Sequence, residues 1–103
     1  MCGIAGIFGF QRQQNIDSDL VQRMNDSIVH RGPDGEGMRA GPGYILAHRR
    51  LAIVDIEGGA QPMALPDERL WLTFNGEIYN YIELRDELAA TGVTFRSNSD
   101  TEV

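Results

Sequence analysis

Cys2 has the most direct route to chemistry. It is the only cysteine in the chain, and it follows Met1. A small residue at position 2 permits removal of the initiator methionine. Cys2 would then carry a thiol and a free α-amino group. α-Amines titrate close to neutrality. Such an amine can take the thiol proton, directly or through water, and return it to a leaving group. Nucleophile and base then belong to one residue. The competing reading is a lone cysteine acting as a small buried hydrophobe.

Two further clusters could serve a thiol nucleophile. In Asn75-Gly76-Glu77, an Asn side-chain amide and a Gly backbone N–H are the donors that a developing oxyanion needs. Glycine also lets the backbone approach a substrate closely. Asn-Gly is equally a common hairpin turn. In His48-Arg49-Arg50-Leu51, an arginine can hold a carboxylate through two parallel hydrogen bonds. A glutamine-like substrate would supply that carboxylate, and its α-ammonium would call for Glu77 or Asp100. Charged side chains of this kind are more often solvated surface groups. His30-Arg31-Gly32-Pro33-Asp34-Gly35 could be an active-site loop, but its composition demands only a turn. With two histidines and no second cysteine, no zinc site is expected. Neither GxxxxGK[ST] nor GxGxxG occurs, so there is no nucleotide signature.

The elements that must position these residues show in the hydrophobic pattern. Cys2 to Gly9 alternates, with both faces apolar, and predicts a strand buried on both sides. Phe10 to Asn15 reads as a loop. Asp17 or Ser18 can cap a helix whose stripe is Leu20, Met24 and Ile28, ended by the turn at 30–35. Tyr44 to His48 and Leu51 to Ile56 read as strands, parted near Arg49-Arg50, and Glu57 to Pro66 as a loop. Leu70 to Asn75 alternates and stops at Gly76. Tyr81, Leu84 and Leu88 mark a second helix, stopped by Gly92. Val93 to Arg96 reads as a short strand. Strands with two amphipathic helices imply an α+β or mixed layered fold.

Composition sets the class. Hydrophobic residues make up 42% of the 103 residues, and 9 Lys plus Arg against 15 Asp plus Glu give a net charge of −6. The acidic balance argues against nucleic acid and against an anionic membrane surface as partners. One cysteine excludes an intrachain disulfide, and the N-terminus lacks the basic region and apolar core of a secretory signal. The cytoplasm is the default compartment. Ser99 to Val103 stops as a new element begins, which suggests a fragment of a longer chain.

Five motifs in order, Met-Cys-Gly-Ile at 1–4, HRGPDG at 30–35, HRRLAIVD at 48–55, NGEIYNY at 75–81 and SDTEV at 99–103, resemble the start of the glutaminase domain of the glutamine-hydrolysing asparagine synthetases, a class II glutamine amidotransferase domain. The resemblance implies an N-terminal-nucleophile fold, two antiparallel sheets between helix layers. Residues 1–103 would be the first half of it, a partial type-2 domain truncated at its C-terminal end. It implies that Cys2 becomes the first residue and attacks the glutamine side-chain amide through a glutamyl thioester. Asn75 and Gly76 would form the oxyanion hole. Arg50 would bind the α-carboxylate, Glu77 and Asp100 the α-ammonium, and the backbone of Leu51 and Ile53 would line the pocket. Arg49 looks dispensable. The glutaminase part would need no cofactor or metal. ATP and Mg²⁺ would serve a C-terminal synthetase domain of the same chain, which turns aspartate into asparagine with the ammonia. L-Glutamine, that domain and a second copy in a homodimer are the expected partners. Other readings are an amidotransferase of the same class with a different acceptor, either an asparagine-synthetase-like enzyme that amidates another carboxylate or the glucosamine-phosphate type, a non-catalytic binding module, or an inactive fragment.

Overall fold

A computed structural model describes residues 1–11 and 15–103. The loop expected over 10–15 falls partly on residues 12–14, which lie outside the described residues. The fold is α+β. In chain order it has β1 (Gly3–Phe8), α1 (Ser18–Ser27), β2 (Gly35–Gly41), β3 (Tyr44–Arg50), β4 (Met63–Ala64), β5 (Trp71–Leu72) and α2 (Tyr81–Ala90). Single 3-10 turns span Val29–Arg31 and Asp100–Glu102. Among the described residues no helix is long and apolar enough to cross a membrane.

β3 is the centre of a three-stranded antiparallel sheet, ordered β1-β3-β2. Gly3 faces Arg49 and Phe8 faces Tyr44 on one side, and Gly35 faces Arg50 and Gly41 faces Tyr44 on the other. β2 and β3 form a tight hairpin through Pro42-Gly43. Gly43 has φ 76°, the conformation that the residue after proline takes in a type II turn. β2 has no counterpart in the expected elements. Its sequence, Gly-Glu-Gly-Met-Arg-Ala-Gly, lacks the β-branched and aromatic residues that advertise strands. The glycines have a packing reason instead. A Cβ on Gly37 would collide with the backbone carbonyl of Gln61, so the strand lies against another backbone there.

One face of the sheet packs on α1. Val21, Ile45 and Ala47 are its buried core, with Ala5, Ile7 and Ile16 around them. The cap of α1 is Asp17, whose carboxylate accepts from the N–H groups of Asp19 and Leu20. The expected stripe is rotated by one position. Val21 and Asn25 are the fully buried residues of α1, while Leu20 is exposed and Met24 and Ile28 are half-buried. Ile28 packs against Gly3, where a Cβ would lie only 2.8 Å from its Cδ1.

The other face of the sheet meets the β4–β5 ribbon. Arg39 stacks on Trp71 at 4.3 Å from the ring centroid, and His48 Nδ1 lies 2.9 Å from Thr73 Oγ1. This cover does not reach the outer half of β1. Ile4 stays 50% and Phe8 67% exposed. The expectation of a strand buried on both sides is therefore met on one side only in this chain. Ile4, Phe8, Leu46 and Thr73 border a shallow apolar groove there.

Three expected strands differ because their backbone groups have other partners. Residues 51–56 form no ladder; they wrap the Arg50 guanidinium. The strand expected over 70–75 shrinks to β5, since Phe74 N–H donates to the Gln61 side chain at 2.6 Å. Residues 93–96 form no strand, because the N–H groups of Arg96 and Ser97 donate to the Glu102 carboxylate at 2.7 and 2.8 Å. α2 matches its expected range, with Tyr81, Leu84 and Leu88 half-buried and Gly92 at φ 98° just past its end.

Arg49 is not idle in the fold. Its Nε donates to the Asn25 carbonyl at 3.1 Å, and its Nη2 pairs with Asp26 and, at 3.0 Å, with Glu36. It ties the end of α1 to the β2–β3 hairpin. Half-exposed ion pairs contribute at most about 1 kcal/mol each and a backbone hydrogen bond about 1 kcal/mol. Arg49→Ala should therefore lower unfolding stability by about 1–2 kcal/mol, read from denaturant titration. An unchanged midpoint would show that these contacts add nothing to stability.

Candidate active site

Cys2 precedes β1 directly, and two elements hold it. Arg31, in the turn after α1, donates from Nε to the Cys2 carbonyl at 3.1 Å. The Cys2 sulfur lies 3.3 Å from the Leu51 N–H and 3.6 Å from the Leu51 carbonyl oxygen. The thiol thus docks on the backbone just past β3. That backbone is fixed by Asp34. Its N–H donates to the Arg50 carbonyl at 3.0 Å, and its carboxylate accepts from the Ala52 N–H at 2.9 Å. Gly32 is buried against the backbone of Arg49 and Arg50, and a Cβ there would collide with it. The HRGPDG segment is a turn, as its composition demands, and it also braces the nucleophile candidate.

Arg50 ends β3. Its Nη1 donates to the Ile56 carbonyl at 2.7 Å, and its Nη2 to the carbonyls of Val54, at 3.0 Å, and Asp55. A guanidinium has five N–H donors, so two remain for a ligand. Asn75 and Gly76 follow β5. Gln61 holds that segment in place: its Oε1 accepts from Phe74 N–H, and its Nε2 donates to Thr101 Oγ1 at 3.2 Å. Asp100 is 7% exposed, and one carboxylate oxygen accepts from the Ile78 N–H at 2.8 Å. Glu77 is exposed.

These residues meet. Cys2, Arg50, Leu51, Ile53, Asn75, Gly76, Glu77 and Asp100 all line one cleft of about 290 Å³, with Gln61, Phe74 and Tyr79 beside them. That is the small end of the roughly 300–1,000 Å³ usual for ligand sites, a size for an amino acid rather than a nucleotide. Its wall offers a thiol, amide-type donors, a cation and two carboxylates. A zwitterionic amino acid carrying a side-chain amide would find a complement for each of its groups. Met1 also lines the cleft and leaves Cys2 nitrogen as an amide, which is no base.

Electrostatics support the frame. Burial, and then the positive charge of Arg50, push the His48 imidazole below its ordinary 6.5. His48 is fully buried and neutral. Burial alone would push Glu102 up, but the Ser97 hydroxyl and the N–H groups of Arg96 and Ser97 hold it below the usual carboxylate range. The N–H groups of Asn98 and Gly58 do the same for Asp55. The sign for His48 is definite. Below pH 6.5 the unfolded chain takes up a proton that the folded chain refuses. Stability therefore declines from pH 6.5 down to the lowered folded value, and levels off beyond it; above 6.5 both states are neutral. The lowered carboxylates act only below about pH 5. His48→Gln should flatten the fall in melting temperature between pH 7 and 5, and an undiminished slope would assign it elsewhere.

Arg31, Asp34, Asp55 and Gln61 were not singled out by type or spacing. Arg31, Asp34 and Asp55 carried a visible signal, since they sit in the HRGPDG and HRRLAIVD motifs. Gln61 has none beyond its place before Pro62.

The chain belongs to the glutamine amidotransferase domain family, whose sequence profile matches residues 1–103. The five motifs therefore point to the right family. Among relatives, it is 50% identical over 105 residues to "Asparagine synthetase [glutamine-hydrolyzing] 1" of Bacillus subtilis (strain 168), covering 100% of this chain and 17% of that protein. It is 44% identical over 103 residues to "Probable asparagine synthetase [glutamine-hydrolyzing]" of Dictyostelium discoideum, covering 99% and 18%. A protein of the same printed name from Schizosaccharomyces pombe is 40% identical over 103 residues, covering 100% and 18%. The chain spans about a sixth of the length of these curated relatives.

Proposed function

We propose that this chain is the glutaminase end of a glutamine-dependent asparagine synthetase. The observation that carries the reading is the Cys2 sulfur, docked on Leu51 in the same cleft as Asn75, Gly76, Arg50, Glu77 and Asp100. After Met1 is removed, the Cys2 amine takes the thiol proton and the sulfur attacks the side-chain carbonyl of L-glutamine. The Asn75 amide and the Gly76 N–H stabilise the tetrahedral oxyanion. The amine returns the proton to the leaving nitrogen, ammonia departs, and a γ-glutamyl thioester remains. Water then cleaves the thioester to glutamate and restores the thiol. Arg50 holds the α-carboxylate, Glu77 and Asp100 the α-ammonium, and the backbone of Leu51 and Ile53 forms the wall.

The length of the relatives supports a second, C-terminal domain that uses the ammonia. There ATP and Mg²⁺ would activate aspartate; no residue for that chemistry lies in this chain. The relatives, asparagine synthetases by name, favour aspartate over the other acceptors. The layered N-terminal-nucleophile fold is the reading that best explains the unfinished sheet. Helix α1 covers one face, the β4–β5 ribbon begins the layer on the other, and the Ile4–Phe8 groove is where further strands would lie. Residues 1–103 are then a partial domain. The expected cytoplasmic location and homodimer follow from the same reading, and sedimentation of the full-length protein tests the latter.

The test is labelling of the full-length protein with a diazoketone analogue of glutamine, mapped by mass spectrometry. An adduct on Cys2, with Met1 absent and glutamine protecting, supports the glutaminase. No adduct on a folded protein with a free Cys2 would favour the binding-module reading.

A further inference from the structure

The cation of the cleft is oriented by neutral backbone. Carbonyls of three consecutive residues, 54, 55 and 56, accept from the Arg50 guanidinium. They fix its direction without neutralising its charge, which stays available to a ligand carboxylate. Turning three successive carbonyls toward one point needs an unusual backbone, and Asp55 supplies it. Asp55 has φ 48°, in the left-handed region that Asp, Asn and Gly tolerate best. Its carboxylate closes the turn, one oxygen accepting from Gly58 N–H at 2.9 Å. Its carbonyl also accepts from Gly59 N–H at 3.0 Å. Side chains are shut out on this side: a Cβ on Gly58 would collide with the Asp55 carboxylate, and one on Gly59 with the Arg50 guanidinium.

The second carboxylate oxygen of Asp55 reaches across the chain. It accepts from the N–H of Asn98 at 2.7 Å. Asn98 lies two residues before Asp100, in the segment tied down by Glu102 and by the Ser99 hydroxyl, which accepts from Thr101 N–H. One carboxylate therefore joins the loop that grips Arg50 to the segment that carries Asp100.

We infer that Asp55 is a positioning residue for substrate recognition: it sets Arg50 and Asp100 in register, so that the cleft measures the carboxylate and ammonium of one L-α-amino acid. This rests on the glutaminase reading. Asp55 touches neither the thiol nor the oxyanion donors in the hydrogen bonds that define the cleft, so it governs binding and not the chemical step.

The experiment measures glutamine hydrolysis by the full-length protein carrying Asp55→Gly or Asp55→Asn. Both replacements tolerate φ 48°, and Asn keeps one acceptor oxygen. Losing uniform binding raises KM without lowering kcat, so Asp55→Gly should raise the glutamine KM about tenfold or more with kcat within about twofold. Asp55→Asn should fall between, at about threefold in KM. In an Arg50→Ala background, Asp55→Gly should raise KM by a smaller factor than in the wild type, because the Arg50 part of its effect is already gone and only the Asp100 part remains. Ammonia-dependent synthesis by the same preparations reports folding of the remainder of the protein, and thermal unfolding reports folding of the part that carries Asp55. Unmoved KM in Asp55→Gly, or a loss confined to kcat, overturns the inference. If Asp55→Gly loses both activities, Asp55→Asn decides by the same criteria. A wild-type protein that never hydrolyses glutamine would fell the glutaminase reading together with this one; an active wild type indifferent to Asp55 fells this one alone.

Discussion

Cys2→Ala in the full-length protein should abolish asparagine formation from glutamine while leaving formation from ammonium salts intact. The expected loss is about 10⁴-fold or more, because removing a nucleophile leaves only what binding and oxyanion donors contribute. The structure localises the effect. Only the Cys2 sulfur would be lost from the cleft. The Cys2 carbonyl keeps its bond from Arg31 and β1 keeps its register with β3, so the frame survives. On the proposed reading the ammonia route survives, because its chemistry would belong to the remainder of the protein. Glutamate release and asparagine formation, assayed separately with each nitrogen source, give the answer. Full glutamine-dependent activity in Cys2→Ala would remove Cys2 from the nucleophile role. The same logic makes Met1 decisive. A protein that retains Met1 has an amide where the base should be, and should behave as Cys2→Ala does with glutamine while keeping its thiol.

Local pattern was enough for the elements that carry their own signal. β1, α1, β3 and α2 stand where alternation, caps and helical spacing put them. Partners distant in the chain decided the rest. Gly37 looks like a strand breaker until the Gln61 backbone is set against it. Residues 51–56 have the apolar run of a strand, yet their carbonyls turn to Arg50. The α1 stripe moved by one residue, with polar Asn25 fully buried beside Val21 and its side-chain amide without a hydrogen-bond partner among the described residues. The eight cleft residues were legible through motif resemblance; Cys2, Arg50, Asn75, Glu77 and Asp100 also carry chemical type in their side chains, while Leu51, Ile53 and Gly76, expected to act through backbone, were legible only as places in a motif. The roles of the groups that hold them were not, even where those groups sit in a motif. Arg31, Asp34, Asp55 and Gln61 work through backbone N–H and carbonyl groups, and a backbone partner leaves no mark in residue type. Even Arg49 fits this rule, because its role depends on the α1 carbonyl and carboxylates brought to it by the fold.

Asn75→Ala should lower kcat for glutamine hydrolysis by about 10²–10³-fold while changing KM little. A donor aimed at an oxyanion gains its full strength only when the carbonyl becomes tetrahedral, so its removal is felt in the transition state and hardly in the bound ground state. The loss should be partial, because the Gly76 N–H remains. That N–H belongs to a segment held at both ends, by Gln61 at Phe74 and by Asp100 at Ile78, and neither bond involves the Asn75 side chain. Truncation should therefore leave the second donor in place. Asn75→Asp sharpens the comparison. The side chain keeps its shape, but a carboxylate offers no donor and repels the developing negative charge. It should be at least as damaging as Asn75→Ala. If Asn75→Asp retained wild-type kcat, the Asn75-Gly76 pair would be the turn its sequence also allows. A rise in KM with kcat unchanged would move Asn75 from the oxyanion to ground-state binding.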